Sequence, residues 1–507
     1  MSPKVAPRIA VVISKGPNMN TKTISAATPA AWGDFTKQFI GGHWVSGNVI
    51  SVLSDRNPYN DRLLTEIPLA GISELDAAFD AASRAQLEWE KVLPGERSAV
   101  LWNAVSILER RKDEIIGWLI SESGSTRIKA TAEWQTAHAG TMEAAAMPRM
   151  VQGYVFRTDR KGREARAYKK PVGVVAVISS WNFPFYVSNR SVAPAIAFGN
   201  AVVLKPSNDT PVSGGLLLAK IYEEAGLPRG VLNVIIGSSS RIGDAFARHP
   251  IPKLLTYSGP TPAGRHIANI ATESTLKRLG LELGGNAPLV VLDDADVPAA
   301  VEAALFGCLL HQGQISMATN RIIVDSLIYE EFIDAYVAAA SKVKCGNPND
   351  PDTLIGPLCN DNQVRSVAAS IKLARSAGCS ERLCGKFEGR VVPPHVYSEV
   401  ANDSDFARRE LFGPVTPIIR ASDEREALAF ANQTEFGLSS SVFTGDSARG
   451  LAFAKRLETG VVHVNDISMH DYPFVMSGGE KTSGLGRING KSIVDEMTTD
   501  HLISVPV

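Results

Sequence analysis

Residues 305–321, LFGCLLHQGQISMATNR, place the hydroxyl of Ser316 in a short Ile-Ser-Met sequence. An apolar helical run, residues 300–310, leads through the polar turn His311-Gln312-Gly313-Gln314 to Ser316, and an apolar strand candidate, residues 322–324, follows it. A reactive side chain held between a helix end and a strand is a common setting for a nucleophile. Other segments carry groups that such chemistry needs. Asn182, in Trp181-Asn182-Phe183-Pro184, directly follows an apolar strand, and its amide is a donor for a developing oxyanion. Glu282 precedes the paired glycines Gly284 and Gly285, and a carboxylate there serves as a general base when apolar surroundings raise its pKa. Lys205 ends a strand in Lys205-Pro206-Ser207, where an ammonium hydrogen-bonds ribose hydroxyls and holds phosphate nearby. The turn from Gly259 to Gly264 opens a helix, so backbone N–H groups and the helix dipole meet phosphate. Taken singly, each has a plainer alternative: a turn for Asn-Pro, a solvated strand end for the lysine, a loop carboxylate for the glutamate, an ordinary glycine turn. Their joint presence favours chemistry.

The elements that must position these groups alternate from Pro171 onward. Apolar strands at 173–179, 201–205, 232–236, 254–258 and 288–292 are separated by helical segments at 186–198, 212–225, 240–248 and 263–279. Strands without polar alternation, joined through helices, imply a parallel sheet buried on both faces. That is a doubly wound nucleotide-binding architecture, with ligands at the carboxyl ends of the strands. A second strand–helix series after Arg321, to about residue 467, implies another α/β domain. Upstream, residues 39–44 read as a strand and turn. Ser73 starts an amphipathic helix, with Asp76 at a capping-box spacing and Leu75, Ala78, Phe79, Ala82 and Trp89 on one face. Past the Pro94-Gly95 break, residues 101–119 continue as helical scaffold.

Bulk composition narrows the function classes. The chain has 507 residues, 44% of them apolar and 21% charged, with a formal net charge of −1, which excludes a whole-surface electrostatic grip on nucleic acid or an acidic membrane. No apolar run reaches the roughly 18 residues of a membrane span. The five cysteines, Cys308, Cys345, Cys359, Cys379 and Cys384, form no paired metal-binding spacing and fit a reducing, cytoplasmic setting. The basic segment 154–170 reads as a solvated hairpin that packs on a partner subunit rather than as a nucleic-acid arm, because the whole chain is neutral. Residues 1–35 read as a disordered or appended extension, and a start at Met19 also fits.

In chain order these segments resemble the aldehyde dehydrogenase family. Residues 313–321 resemble its nucleophile segment, G-Q-x-C followed by an alanine and an arginine; residues 281–285 are its L-E-L-G-G; Glu410-Leu411-Phe412-Gly413-Pro414 and residues 478–487 match two further motifs. The resemblance covers nearly everything from about residue 39 to 507. It implies an α/β fold with a Rossmann-type cofactor domain (36–152 and 173–282), an α/β catalytic domain (283–477) and an oligomerisation arm (153–172 and 478–507), assembled as a homodimer or homotetramer. It implies NAD or NADP held along Ile178, Ser179, Trp181, Lys205, Ser207, Asn208, Gly259, Pro260, Gly264, Glu410 and Phe412, with no metal. It implies that Asn182 forms the oxyanion hole and that Glu282 activates the hydrolytic water. The His311-Gln312-Gly313-Gln314 run and Met317 look most like the bacterial branch that oxidises aromatic aldehydes.

The departures from the family pattern concern chemistry. Ser316 stands where the family carries its catalytic cysteine. Asn208 stands where an acidic residue often binds ribose hydroxyls, so both NAD and NADP stay open. Pro260 replaces a serine of the pyrophosphate loop and removes a hydroxyl and an N–H donor. Met476-Ser477 replaces a Pro-Phe before the glycine pair. The serine predicts very low aldehyde oxidation by this chain, either as an engineered replacement that traps a complex or as a natural variant. A protein that binds cofactor or aldehyde without turnover is the alternative from another class, and a weak serine esterase using Ser316 and Glu282 is a third.

Overall fold

A computed structural model describes residues 31–47 and 51–507. Most of the 1–35 extension lies outside the described residues. From Trp32 the chain is already packed: Phe35 belongs to the core, the Trp32 N–H donates to Glu114 (2.7 Å), and the Arg111 guanidinium lies 4.1 Å from the Trp32 ring centre.

The first sheet is built on five parallel strands, β1 (Val174–Ile178), β2 (Ala201–Lys205), β3 (Leu232–Val234), β4 (Leu254–Ser258) and β5 (Arg278–Glu282), in the spatial order 3-2-1-4-5. The order reverses at β1, so β1 and β4 flank the switch point where such sheets open a crevice. The absence of alternation in β1 and β2 has a direct cause. Val175, Val177, Val202 and Leu204 enter one core with Phe185 and Ile196, while Val174, Ala176, Ala201 and Val203 enter another with Leu75 and Phe79. At the edges, Phe39 pairs antiparallel with Val234, and Gly484–Leu485 pairs antiparallel with Glu282 and Leu281.

Two sequence expectations shift here. The helix predicted over 263–279 ends early, as Thr261–Ala271, and β5 follows it with Glu282 as its last residue. The helix Ile72–Trp89 is capped two residues earlier than expected: the Gly71 N–H donates to Glu74 (2.6 Å), so Glu74 rather than Asp76 closes the N-terminus.

The second sheet is also mainly parallel. It contains β6 (Ala287–Val291) and β7 (Thr319–Asp325) at its centre, flanked by His395–Ser398, Val415–Ala421, Ser439–Phe443 and Val461–Val464. Leu289 and Ile322 face one core, Val290 and Ile323 the other. Helix Val297–Leu309 joins β6 to the turn that carries Ser316. A third sheet pairs Tyr154–Arg157 with Arg163–Pro171, and Arg163–Pro171 with Thr498–Pro506 across nine register pairs. The segments 153–172 and 498–506 thus meet, whereas Gly484–Leu485 serves the edge of the first sheet. Among the described residues no helix is long and apolar enough to cross a membrane.

Candidate active site

The carboxyl end of the first sheet faces the Ser316 turn of the second. Gly285 packs against this turn: a side chain there would collide with the Ser316 carbonyl oxygen. The turn itself is forced by backbone geometry. His311, Gln312 and Gly313 take successive left-handed conformations, with φ of 52°, 58° and 72°. A Cβ at Gly313 would strike the Gly413 carbonyl. The polar side chains of this turn are buried rather than solvated. Gln312 donates to the Pro357 carbonyl (2.6 Å) and accepts from the Gly356 N–H (3.1 Å), and Gln314 accepts from the Cys359 N–H (3.0 Å).

Asn182 reaches this turn from β1. Its Nδ2 donates to the Gln314 carbonyl (3.0 Å), and its Oδ1 accepts from the Ser180 hydroxyl (2.7 Å). The carbonyl partner fixes which end of the amide is NH₂. Trp181 and Phe412 meet edge-to-face at 5.5 Å, bridging the two sheets. Glu410 accepts from the Gly285 N–H (2.8 Å) and crowds Gly284. Glu410 and the Ser316 carbonyl thus meet at the Gly284–Gly285 pair, while Asn182 reaches the same turn at Gln314.

Glu282 faces a different partner set from the apolar pocket expected of a base. It forms a salt bridge with Arg190 and accepts from the Ser258 hydroxyl (2.9 Å). Arg190, on the helix Pro184–Ala197, also lies 3.4 Å from Asp471, which accepts from the Tyr186 hydroxyl (2.7 Å) and from Asn489 (2.8 Å). Ser316 Oγ has no hydrogen-bond partner among the described residues, so no base is poised on it. His311 is fully buried with both ring nitrogens unpartnered; burial and the Lys129 charge push its pKa well below the ordinary value. Cys308 is buried, and that burial pushes its thiol up to about 12.

At the next strand end, Lys205 is buried and its ammonium has no hydrogen-bond partner among the described residues. Desolvation brings it down to about 8. Asn208 Oδ1 beside it is likewise buried without a partner. Ser207 turns back on Asp209, accepting from its N–H (3.3 Å). Ile178 ends β1, and Ser179 turns inward, its hydroxyl accepting from Ser188 (2.7 Å). The Gly259 N–H is spent on the Glu282 carbonyl (3.0 Å), and Pro260 caps the helix Thr261–Ala271. Gly264 packs under Leu283, where a Cβ would collide, so its role is to seat the helix against the strand. A buried cation without a carboxylate, an orphaned amide oxygen and a half-buried carboxylate at Glu410 form a donor and acceptor set that fits a dinucleotide's ribose hydroxyls and phosphates.

The whole arrangement has known counterparts. The Aldehyde dehydrogenase family model matches residues 44–503. The chain belongs to the aldehyde dehydrogenase family. It is 46% identical over 473 residues to a vanillin dehydrogenase of Corynebacterium glutamicum, covering 93% of this chain and 98% of that protein. It is 43% identical over 472 residues to the benzaldehyde dehydrogenase YfmT of Bacillus subtilis, covering 93% and 97%. The crystal structure of a NAD-dependent benzaldehyde dehydrogenase from Corynebacterium glutamicum superposes with a TM-score of 0.87 at 44% identity, covering 94% of this chain and 98% of that one. The aldehyde dehydrogenase fold, with its mixed α/β sheets, is thereby established for the chain.

Within this aldehyde dehydrogenase, the sequence missed Arg190, Asp471 and the buried pair Lys129–Glu133. Arg190 lies in a helical segment and its partners are distant in sequence, so only the fold reveals it. Glu410 has a testable titration. Burial pushes its carboxyl from 4.5 to about 7, against the opposing pull of the Gly285 N–H. A carboxyl whose folded pKa exceeds its unfolded value keeps its proton longer in the fold. Its contribution to stability is present at low pH and lost as pH rises from 4.5 through about 7. Glu410→Gln is expected to flatten that decline, by at most about 3 kcal/mol, in thermal melts run across the window.

Proposed function

We propose that this protein scaffold oxidises an aromatic aldehyde to its carboxylic acid with NAD, and that Ser316 leaves the chain as it stands nearly inactive. The observation that carries this is the convergence of the Asn182 amide and the Gly285 backbone on the turn holding residue 316. The vanillin and benzaldehyde dehydrogenases to which the chain is similar support the aromatic substrate, and the NAD-dependent structural relative supports the cofactor. The decisive experiment is a Ser316→Cys variant assayed over a panel of aldehydes with NAD and NADP.

In this reading the aldehyde carbon sits at residue 316. One Asn182 N–H meets the carbonyl oxygen as it gains negative charge. Bound nicotinamide dinucleotide supplies the hydride acceptor. Lys205 and Glu410 hold the ribose hydroxyls, and the edge-to-face pair Trp181–Phe412 walls the site. Glu282 takes the proton of the water that releases the acid, and Arg190 holds its carboxylate until then. Arg190→Met leaves Glu282 and Asp471 without their cation, so it is expected to lower stability by about 2–3 kcal/mol, read by denaturant melts. Unchanged stability would show that the pair is screened by water.

The third sheet supports a homo-oligomer. Tyr154 (56% exposed), Phe156 (50%) and Leu502 (65%) share one face of it and form an apolar strip that water does not favour. Phe156→Glu with Leu502→Lys is expected to reduce the mass seen by light scattering to that of one chain.

A further inference from the structure

The helix Arg127–Ala146 carries Lys129 and Glu133 one turn apart, both fully buried, their side chains joined at 2.5 Å. A buried ion pair gains little over well-packed apolar groups, so stability alone is a weak reason for it. The pair's other contacts are directed at the turn that carries Asn182. Lys129 Nζ donates to the Asn182 carbonyl (2.7 Å) and lies 4.1 Å from the Phe183 ring centre. Glu133 Oε1 accepts from the N–H groups of Phe185 (2.9 Å) and Tyr186 (3.1 Å), which open the helix Pro184–Ala197. An anion there satisfies two of the free N–H groups at the helix start and complements its dipole.

We infer that Lys129 and Glu133 are the positioning pair of the Asn182 amide. The inference rests on the reading of Asn182 as the oxyanion donor. Lys129 fixes the carbonyl of Asn182, and Glu133 fixes the peptides that follow it, so the Cα–Cβ direction of Asn182 is set from behind. Ser180 then holds Oδ1, and Nδ2 is left facing the Gln314 carbonyl and the residue-316 turn. Neither charged side chain reaches the reacting atoms, and each acts through the turn. Phe183, clamped under Lys129, packs edge-to-face on His311 at 6.1 Å and ties the same turn to the far wall of the site.

The test uses the full chain carrying Ser316→Cys. Lys129→Met is expected to lower kcat roughly 10–30-fold, as a small misplacement of a catalytic group does. The aldehyde KM and NAD affinity by fluorescence titration should stay within about twofold, and Lys129→Arg should recover part of the loss. In an Asn182→Ala background the same Lys129→Met change should alter kcat by less than about twofold, because the group it positions is gone. If Lys129→Met does not fold, Lys129→Met with Glu133→Gln leaves no lone buried charge and is judged by the same criteria. An equal loss with and without Asn182 overturns the inference, as does an unchanged kcat in folded Lys129→Met. Turnover of the Ser316→Cys protein that ignores Asn182→Ala overturns the reading of the site itself, and the inference with it.

Discussion

Ser316→Cys is expected to raise NADH production from an aromatic aldehyde by at least about 10³-fold over the chain as it stands. The reason is ionisation. A free thiol has a pKa of roughly 8.5, so a small fraction is thiolate at neutrality. An alkanol is closer to water, at roughly 15.7. The gap of about 7 units corresponds to about 10 kcal/mol, which sets the ceiling of the effect. A serine recovers that deficit only when a base sits on its hydroxyl, and none is in place. Glu282 is engaged by Arg190 and Ser258. The His311 ring is buried beside Phe183, its nitrogens unpartnered. Cys308 is sealed in the core and offers no substitute thiolate. The measurement is the absorbance of NADH for both chains over a panel of aldehydes. Rapid turnover by the Ser316 chain would refute the expected impairment. Silence of the Ser316→Cys chain with every aldehyde and both cofactors would instead favour a binding protein. Hydrolysis of nitrophenyl acetate, compared between the chain and Ser316→Ala, separates the esterase alternative: equal rates exclude Ser316 as its nucleophile.

Ile178, Ser179, Asn182 and Lys205 were legible because each sits at or just after the end of a strand that the pattern of residues announces. The runs ending at Ile178 and Lys205 are apolar on both faces because both faces are covered, and a polar residue immediately after such a run has to lie at the sheet's carboxyl edge. Glu282 was found through its motif rather than its strand. The sequence LKRLGLE has helix-forming leucines and charges, and only pairing with Leu254–Ser258 on one side and Gly484–Leu485 on the other makes it extended. Tertiary pairing outweighs local propensity there. The burial of the His311–Gln314 run was not legible either. It reads as a polar turn, and the fold buries its side chains, with backbone groups of residues 356–359 satisfying Gln312 and Gln314. Arg190, Lys129 and Glu133 were invisible for a related reason. A charged residue on a helix reads as surface unless its partner is known, and Asp471, Glu282 and the Asn182 turn come together only in the fold.

Removing the amide at Asn182 gives the second large effect. In the Ser316→Cys protein, Asn182→Ala is expected to lower kcat by about 10²–10³ while changing the aldehyde KM little, since the donor matters most when the carbonyl oxygen carries charge. The geometry allows a sharper form of the same experiment. Asn182→Asp keeps the size of the side chain and the hydrogen bond from Ser180, but it has no N–H to donate. It also turns a carboxylate toward the Gln314 carbonyl that the amide now contacts at 3.0 Å, and toward the oxygen that must become negative. Asn182→Asp should therefore be at least as slow as Asn182→Ala. An aspartate variant with near-normal kcat would mean that the side chain serves only to shape the turn, and the stabilising donors would then have to be sought among the backbone N–H groups around residue 316.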